Sequence, residues 1–232
     1  MNERLQPAYL GQGDAGALAT QRNRVLRNTY ALLAVSLAPT VLGAWVGVST
    51  GLVAAMGMGM SMIVFLAGAF GFMFAIEKTK NSSAGVPILL AFTFFMGLML
   101  SRLVGIVLGM NNGAGLIMTA FAGTGVIFLG MASLSSIIKR DLSSMGKFLF
   151  IGAIMLLVAG IANVFLQSSA LMITLSVLAI GIFSAFILYD LKRVQDGLET
   201  NYISATLGVY LSIYNVFQSL LALLGIAGSR DE

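Results

Sequence analysis

The side chain with the clearest chemical potential in this sequence is the carboxylate of Asp190. It ends an apolar run that begins at Leu171, and it comes about a turn before the basic pair Lys192 and Arg193. A carboxylate costs roughly 2.5–3.5 kcal/mol at the centre of a membrane helix by insertion scales, and less near the interface. An acid in this position is a candidate for binding a proton or an ion.

Polar and small residues recur on one face of the last apolar segment, three or four positions apart. This stripe and its flanking residues are Ser204, Gly208, Tyr210, Ser212, Tyr214, Asn215, Gln218 and Ser219. Polar groups in a bilayer need partners, so the face is predicted to look into a helix bundle. If Asp190 faces it, the two segments form a polar cavity lined by Ser204, Tyr210, Asn215 and Ser219. The alternative is an acid in interfacial water beside two basic side chains.

The residue types that the chain lacks exclude several classes of chemistry. It has no cysteine and no histidine, which excludes disulfides, thiol nucleophiles, imidazole bases and the usual zinc or copper sites. A single intramembrane carboxylate supplies neither paired acids nor a nucleophile with its base, so we do not expect an enzyme. We expect no cofactor and assign no metal site.

The composition is that of a membrane protein. Of the 232 residues, 58% are hydrophobic and 9% are charged, whereas a soluble domain carries about 25% charged residues. The net charge of +4 does not indicate a nucleic acid partner, because the basic residues lie in short loops between apolar segments. The lipid bilayer is the expected surroundings of the chain.

Seven apolar segments are long enough to cross a bilayer, which takes about 20 residues in a helix. They are residues 29–48, 52–76, 86–110, 116–138, 148–167, 170–189 and 202–226, which we number spans 1 to 7. The sequence therefore predicts an all-α membrane protein, a bundle of seven transmembrane helices. Residues 1–27 are predicted to form a disordered cytoplasmic tail, residues 28–227 the transmembrane domain, and residues 228–232 a short C-terminal tail.

The distribution of basic residues indicates the orientation of the spans. Eleven of the 13 Lys and Arg residues lie in the N-terminal tail or in the loops after spans 2, 4 and 6, and none lies in the turns after spans 1, 3 and 5. Cytoplasmic loops carry the excess of Lys and Arg. The N-terminus is therefore predicted to be cytoplasmic and the C-terminus periplasmic, which puts Asp190 at the cytoplasmic end of span 6.

Span 3 carries small residues every four positions, at Gly97, Ser101, Gly105 and Gly109. Such a stripe lets two helix backbones approach closely. Arg102 lies beside it, about two turns from the far end of the span. We favour an arginine whose charged end reaches the outer headgroups over one that partners an inward carboxylate, because the acidic candidate lies towards the opposite end.

Several strings of the sequence together resemble the Bax-inhibitor-1 family. They are VLRNTYALL in span 1, AFAGTGVIF in span 4, KRDLSSMG after it, ANVFLQ in span 5, LYD in span 6, and ETNYISATLGVYLSIYNVFQSLLALLG in span 7. The resemblance covers residues 25–225, and the strings of spans 5 and 7 are the most specific. It implies a seven-helix bundle in which span 7 is central and the other six spans surround it.

The resemblance also implies two activities. Proteobacterial inner-membrane members of the family modulate FtsH, a membrane protease of the AAA type. This implies a bacterial inner-membrane protein that regulates FtsH proteolysis, with the polar tail before Arg22 as the cytoplasmic segment that the protease engages. Other members are pH-sensitive calcium leak channels, which implies Ca²⁺ or protons as alternative partners.

In the leak channels a pair of aspartates senses pH, and a basic residue latches the pair. The first aspartate corresponds to Asp190, and the second falls at Ser212. The latch falls at Glu77 or, with a small gap, at Lys78. One carboxylate is a poor site for calcium, which prefers about six to eight oxygen ligands. We therefore expect Asp190 to act as a single proton sensor, with Ser212 completing the polar site.

Overall fold

The chain folds into a succession of helices joined by short connections. The computed structural model describes residues 12–229, and these residues contain no β-strand. The helices are α1 (Gln12–Thr50), α2 (Leu52–Ala55), α3 (Gly57–Thr79), α4 (Gly85–Leu108), α5 (Gly113–Ile137), α6 (Met145–Leu166), α7 (Ser169–Gln195) and α8 (Tyr202–Gly228).

Seven of these helices are long and apolar enough to cross a membrane, namely α1 from Leu18 onward and α3 to α8. Helix α2 is a single turn of four residues. The prediction of an all-α protein with seven spans is therefore confirmed. Span 7 of the sequence corresponds to α8, and span 6, which carries Asp190, corresponds to α7.

The prediction of disorder is wrong for residues 12–27, because these residues already belong to α1. The helix has 39 residues, which at 1.5 Å per residue makes it about 58 Å long, against a hydrocarbon core about 30 Å thick. Extending an existing helix avoids the cost of a new nucleus, and this polar segment holds several alanines and no proline inside the helix before Pro39. The domain boundary at residue 28 therefore falls inside a helix. Residues 1–11 lie outside the described residues.

Span 2 also begins differently from the prediction. The predicted span started at residue 52, but Met56 interrupts the helix and separates α2 from α3, which begins at Gly57. Gly57 has a φ of 70°, in the left-handed region that only glycine enters readily. The span proper therefore runs from Gly57 to Thr79. At the other terminus α8 ends at Gly228, and residues 230–232 lie outside the described residues.

Helices α1 and α4 cross at a contact made of small residues. A side-chain carbon added to Gly97 would overlap the backbone oxygen of Thr40, and one added to Gly43 would overlap the backbone oxygen of Phe94. A side-chain carbon added to Gly47 would likewise overlap the side chain of Ser101. The close helix packing that the small-residue stripe predicted is therefore confirmed at Gly97 and Ser101.

Helix α8 packs against α1, α3, α4, α5 and α7. Its fully buried Tyr210 joins a core that includes Phe92 and Leu89 of α4 and Ile187 of α7. Helix α6 packs against α7 and has one buried residue, Leu149. The long helices thus differ widely in how much of their surface is left for lipid.

Candidate functional site

The carboxylate of Asp190 lies directly against α8. Asp190 is in the second-last turn of α7, and a side-chain carbon added to Gly208 would be 2.8 Å from its Oδ2 atom. Glycine at that position provides the space that the carboxylate occupies. The structure therefore brings Asp190 to the polar stripe of α8.

Two serines lie one turn to either side of Gly208 on α8. Ser212 Oγ donates a hydrogen bond to the backbone oxygen of Gly208 (3.0 Å), so its hydroxyl proton is already engaged in a hydrogen bond within α8. Ser204 Oγ is buried and has no hydrogen-bond partner among residues 12–229. Ser204 is therefore the free hydroxyl of this face, and Ser212 is not.

The charged residues next to Asp190 are paired with one another. Lys192 Nζ lies 2.5 Å from Asp196 Oδ1, and Arg193 lies 3.9 Å from Glu199 Oε2. Arg193 also stacks over the ring of Tyr189, 5.7 Å from its centroid. Within the described part of the chain, Asp190 has neither an ion pair nor a hydrogen bond of its own. A half-buried carboxyl without a partner is free to take up or release a proton.

A second acid at the same end of the bundle has a different environment. Asp141 lies in the exposed α5–α6 loop, and its Oδ1 accepts hydrogen bonds from Ser143 Oγ (2.6 Å) and from Ser143 N (2.8 Å). These hydrogen bonds, the side-chain one first, lower the pKa of Asp141 below its ordinary value. Asp141 therefore stays ionised at neutral pH.

The other residues predicted to line a polar cavity do not surround Asp190. Tyr210 OH lies 2.9 Å from Thr40 Oγ1 of α1, and its flanking neighbour Tyr214 donates to the Met96 oxygen of α4 at 3.2 Å. Asn215 donates to the Leu211 oxygen of its own helix. Ser219 is buried about four turns beyond Ser204. The two tyrosines thus fix α8 to α4 and α1, and the predicted cavity is divided along the helix.

Neither latch candidate lies at Asp190. Glu77 pairs with Lys80 at 2.5 Å, one turn away on the same chain segment. Lys78 lies over the ring of Phe74, 4.5 Å from its centroid. Both side chains are exposed at the end of α3 and have local partners. The structure therefore does not join them to the acid.

Sequence reasoning missed a set of contacts that ties the helix ends together around this site. Asn201 caps α8 through hydrogen bonds from the nitrogens of Ile203 and Ser204, and its Nδ2 donates to the Lys80 oxygen at 3.1 Å. An asparagine just before an apolar run is a recognisable cap signal. Its second contact, with the loop after α3, has no signal in the sequence.

Gln195, the last residue of α7, makes the second such link. Its Nε2 donates to Ser135 Oγ of α5 at 2.9 Å, and its backbone oxygen accepts from Arg22 of α1 at 3.3 Å. The contacts of Asn201 and Gln195 bring the N-terminal part of α1 and the C-terminal ends of α3, α5 and α7 to one end of the bundle.

The arrangement suits proton exchange better than metal binding. Within residues 12–229 no three acidic side chains lie close enough to hold a metal ion. The open cavity nearest to the charged loop has a volume of about 340 Å³ and is lined by Arg22, Asp196 and Glu199. What remains at Asp190 is a carboxyl against Gly208, with the unpartnered hydroxyl of Ser204 one turn away along α8.

Comparison with known proteins identifies a family over nearly the whole chain. The sequence model of the Bax1-I family, described as inhibitor of apoptosis-promoting Bax1, matches residues 22–229. An uncharacterized membrane protein of Vibrio cholerae is 39% identical over 215 residues, which are 91% of this chain and 93% of that protein.

Two relatives from Escherichia coli have more informative names. A protein of strain K12 named modulator of FtsH protease YccA is 37% identical over 209 residues, which are 90% of this chain and 92% of that protein. A protein of strain O6:H1 named inner membrane protein YccA shows the same identity and coverage. Together with the seven spans, these similarities establish a multi-pass protein of the inner membrane.

Proposed function

Since the chain belongs to the Bax1-I family, we propose that it modulates proteolysis by a membrane protease of the FtsH type. The observation that carries the proposal is the similarity to the protein named modulator of FtsH protease YccA, at 37% identity over 90% of this chain. The partner is a membrane protein, and both proteins share the bilayer. The role is regulatory rather than enzymatic.

The proposal includes an orientation, with the N-terminus in the cytoplasm, the C-terminus in the periplasm and α8 at the centre. Lys and Arg are concentrated in the N-terminal segment, in the last turns of α3 and α7, and in or next to the loops after α3 and α5, as is typical of cytoplasmic segments. The contacts of Gln195 and Asn201 join these same segments at one end of the bundle. The packing of α8 against five other long helices, α1, α3, α4, α5 and α7, supports its central place.

The N-terminal part of α1 is the surface we assign to the protease. Val25 is buried against Val194 and Ala205, and Arg22 reaches Gln195, so the helix is anchored to the bundle from Arg22 onward. Before this anchor, Leu18 is 60% exposed. Proteases engage protein ends preferentially. The exposed residues Gly16, Leu18 and Thr20 can therefore be bound without disturbing the transmembrane packing.

Deleting residues 2–20 tests this assignment, because it removes the segment before the anchor and leaves Arg22 and Val25 in place. We expect the full chain to co-purify with the protease from membranes at native expression, and the shortened chain to be depleted. Overexpression of the full chain is expected to slow degradation of the protease's membrane substrates. The shortened chain is expected to lose this effect while its thermal stability in detergent stays unchanged.

A variant with residues 2–20 in scrambled order is the matched control, since it keeps length and composition. If neither co-purification nor substrate turnover distinguishes cells with the chain from cells without it, the proposed function is wrong. If the shortened chain co-purifies with the protease and slows substrate degradation as the full chain does, the surface that binds the protease lies elsewhere on the bundle.

A second candidate is a pH-sensitive cation leak with Asp190 as its proton sensor. The observation that favours it is the carboxyl of Asp190, which lies against Gly208 and has no hydrogen-bond or ion-pair partner among residues 12–229; within that range the hydroxyl of Ser204, one turn from Gly208, is also unpartnered. Liposomes that contain the purified chain are expected to pass cations, including Ca²⁺, at a rate that changes with pH. Flux equal to that of empty liposomes would rule this candidate out.

A further inference from the structure

The unexplained charge of this protein is Arg102, which lies within the membrane-spanning part of α4. Its Nη1 nitrogen is buried and has no hydrogen-bond partner among residues 12–229. It lines an open cleft with a volume of about 250 Å³. An unpaired guanidinium nitrogen is costly away from water, so this group needs an acceptor that the described chain does not supply.

The cleft lies between helices that do not pack tightly together. Its walls are Met62 and Phe65 of α3, Leu103 of α4, Val164 of α6 and Gln218 of α8. Helix α3 packs against α4, and α6 packs against α7, but no extensive contact joins α3 to α6 in the part of the chain that the structure describes. The cleft is therefore an opening in the side of the bundle, at the level of the spans.

Among the acids whose side chains the structure describes, none is placed to neutralise Arg102. The lining residues include no acidic side chain. Glu77 is 15 residues from Met62 along α3, which is about 22 Å. Asp190 lies at the opposite end of the bundle, among the loops joined by Gln195. The sequence predicts that the charged end of Arg102 reaches the outer headgroups. Its Nη1 nitrogen is instead buried by the protein, so contact with the headgroups alone does not account for its position.

We propose that this cleft binds an anionic phospholipid, with its phosphate on the guanidinium of Arg102 and an acyl chain between α3 and α6. Arg102 lies six residues before the end of α4 at Leu108, about 9 Å along the helix axis, and a long arginine side chain extends from that depth towards the headgroup level. Arginine binds phosphate through parallel N–H groups. The methionine, phenylalanine, leucine and valine side chains of the walls provide an apolar surface for the chain of the lipid.

The lining also selects for the charge of the lipid. A zwitterionic lipid carries an ammonium group beside its phosphate, and the cleft has no acid to balance that second charge. Gln218, which is exposed, offers an amide donor next to the arginine. The expected occupant therefore carries a net negative headgroup, as phosphatidylglycerol does.

Native mass spectrometry of the purified full chain tests this with equal amounts of phosphatidylglycerol and phosphatidylcholine. We expect roughly tenfold more bound phosphatidylglycerol, because the ammonium group of phosphatidylcholine would lie near the guanidinium of Arg102 with no acid in the cleft to balance it, and like charges repel. Arg102→Gln is expected to abolish the preference, and Arg102→Lys to keep part of it. Arg140→Gln, which removes the same charge from an exposed loop at the other end, is the matched control and should bind as the wild type does.

Val164→Trp gives a test that leaves the arginine intact. Val164 lies on α6, which has little buried surface, so a larger side chain is expected to fill the cleft without unfolding the protein. Loss of bound phosphatidylglycerol in this variant supports the proposal. Wild-type lipid preference in Arg102→Gln or in Val164→Trp would overturn it, as would complete displacement of the lipid by inorganic phosphate. None of these outcomes depends on the protease or on ion flux.

Discussion

Two charged side chains within the spans, Asp190 and Arg102, lack protein partners in the described part of the chain, and they lie at opposite ends of the bundle. Each is expensive in hydrocarbon. Six of the charged groups at the loop end form local ion pairs, as Glu77 does with Lys80 and Lys192 with Asp196. At the scale of single residues, these two side chains are therefore the ones whose chemistry remains available.

For Asp190 the expected outcome of Asp190→Asn is a cation flux that no longer depends on pH. The amide keeps the size and contact of the carboxyl beside Gly208 but has no proton to exchange. The measurement is dye-reported flux into liposomes from mildly acidic to mildly alkaline pH.

Asp196→Asn is the control for this variant, because it also removes one acid from the end of α7. Asp196 is more exposed and already paired with Lys192, so its loss should leave the pH profile of the flux unchanged. The sensor role of Asp190 is refuted if Asp190→Asn keeps the wild-type profile, or if both variants flatten it equally.

How far the site could be predicted differs from residue to residue. The meeting of Asp190 with the α8 stripe followed from spacing, because consecutive antiparallel helices joined by a short loop are neighbours. The partners of Tyr210 and Tyr214 did not follow. Their hydroxyls meet α1 and α4, which are far away in the sequence, and the rotation of α8 that directs them there is set by packing with the whole bundle.

At the scale of helices, the close crossing of α1 and α4 is the most demanding contact. It depends on glycines whose missing side chains leave room for backbone oxygens of the facing helix. Van der Waals packing of this kind is a main source of helix association in a bilayer, since lipid tails remove the hydrophobic driving force. A single added methyl group therefore has a large effect at this crossing.

We expect Gly97→Ala to lower the free energy of unfolding by about 2–3 kcal/mol, because its new methyl group would overlap the Thr40 oxygen and the two backbones would have to separate. The measurement is the thermal unfolding midpoint in detergent.

Gly71→Ala is the matched control on α3, because a side-chain carbon there has open space around it. Its effect should be neutral or stabilising by about 0.5–1 kcal/mol, as for glycine replaced by alanine within a helix. Equal midpoints for the two variants would show that the α1–α4 crossing is not closely packed.

At the scale of the whole molecule, the number of spans could be predicted but their neighbours could not. Hydropathy gave seven spans because about 20 apolar residues are needed to cross the bilayer. It could not pair α1 with α4, since nearly every face of these helices is apolar. The continuation of α1 back to Gln12 was hidden for another reason, because a polar segment outside the membrane carries no hydropathy signal.

The proposed orientation predicts where reporters work. A green fluorescent protein fused before Met1 should fluoresce, and alkaline phosphatase fused after Glu232 should be active, because the odd number of spans puts the termini on opposite sides. The two reporters are then swapped between the termini, and both should be inactive. Alkaline phosphatase fused after Ser143, in the loop after α5, is the internal control and should also be inactive. Fluorescence of the C-terminal green fluorescent protein fusion would contradict the orientation.

The crossing of α1 and α4 also has a consequence for biosynthesis. Ribosomes add about 5–20 residues per second, so the 58 residues from the end of α1 at Thr50 to the end of α4 at Leu108 take roughly 3–12 s. For those seconds α1 has no α4 to pack against and is held in the bilayer by its own apolar surface. A substitution that makes α1 less apolar is therefore expected to reduce the yield of inserted chains before it affects the finished protein.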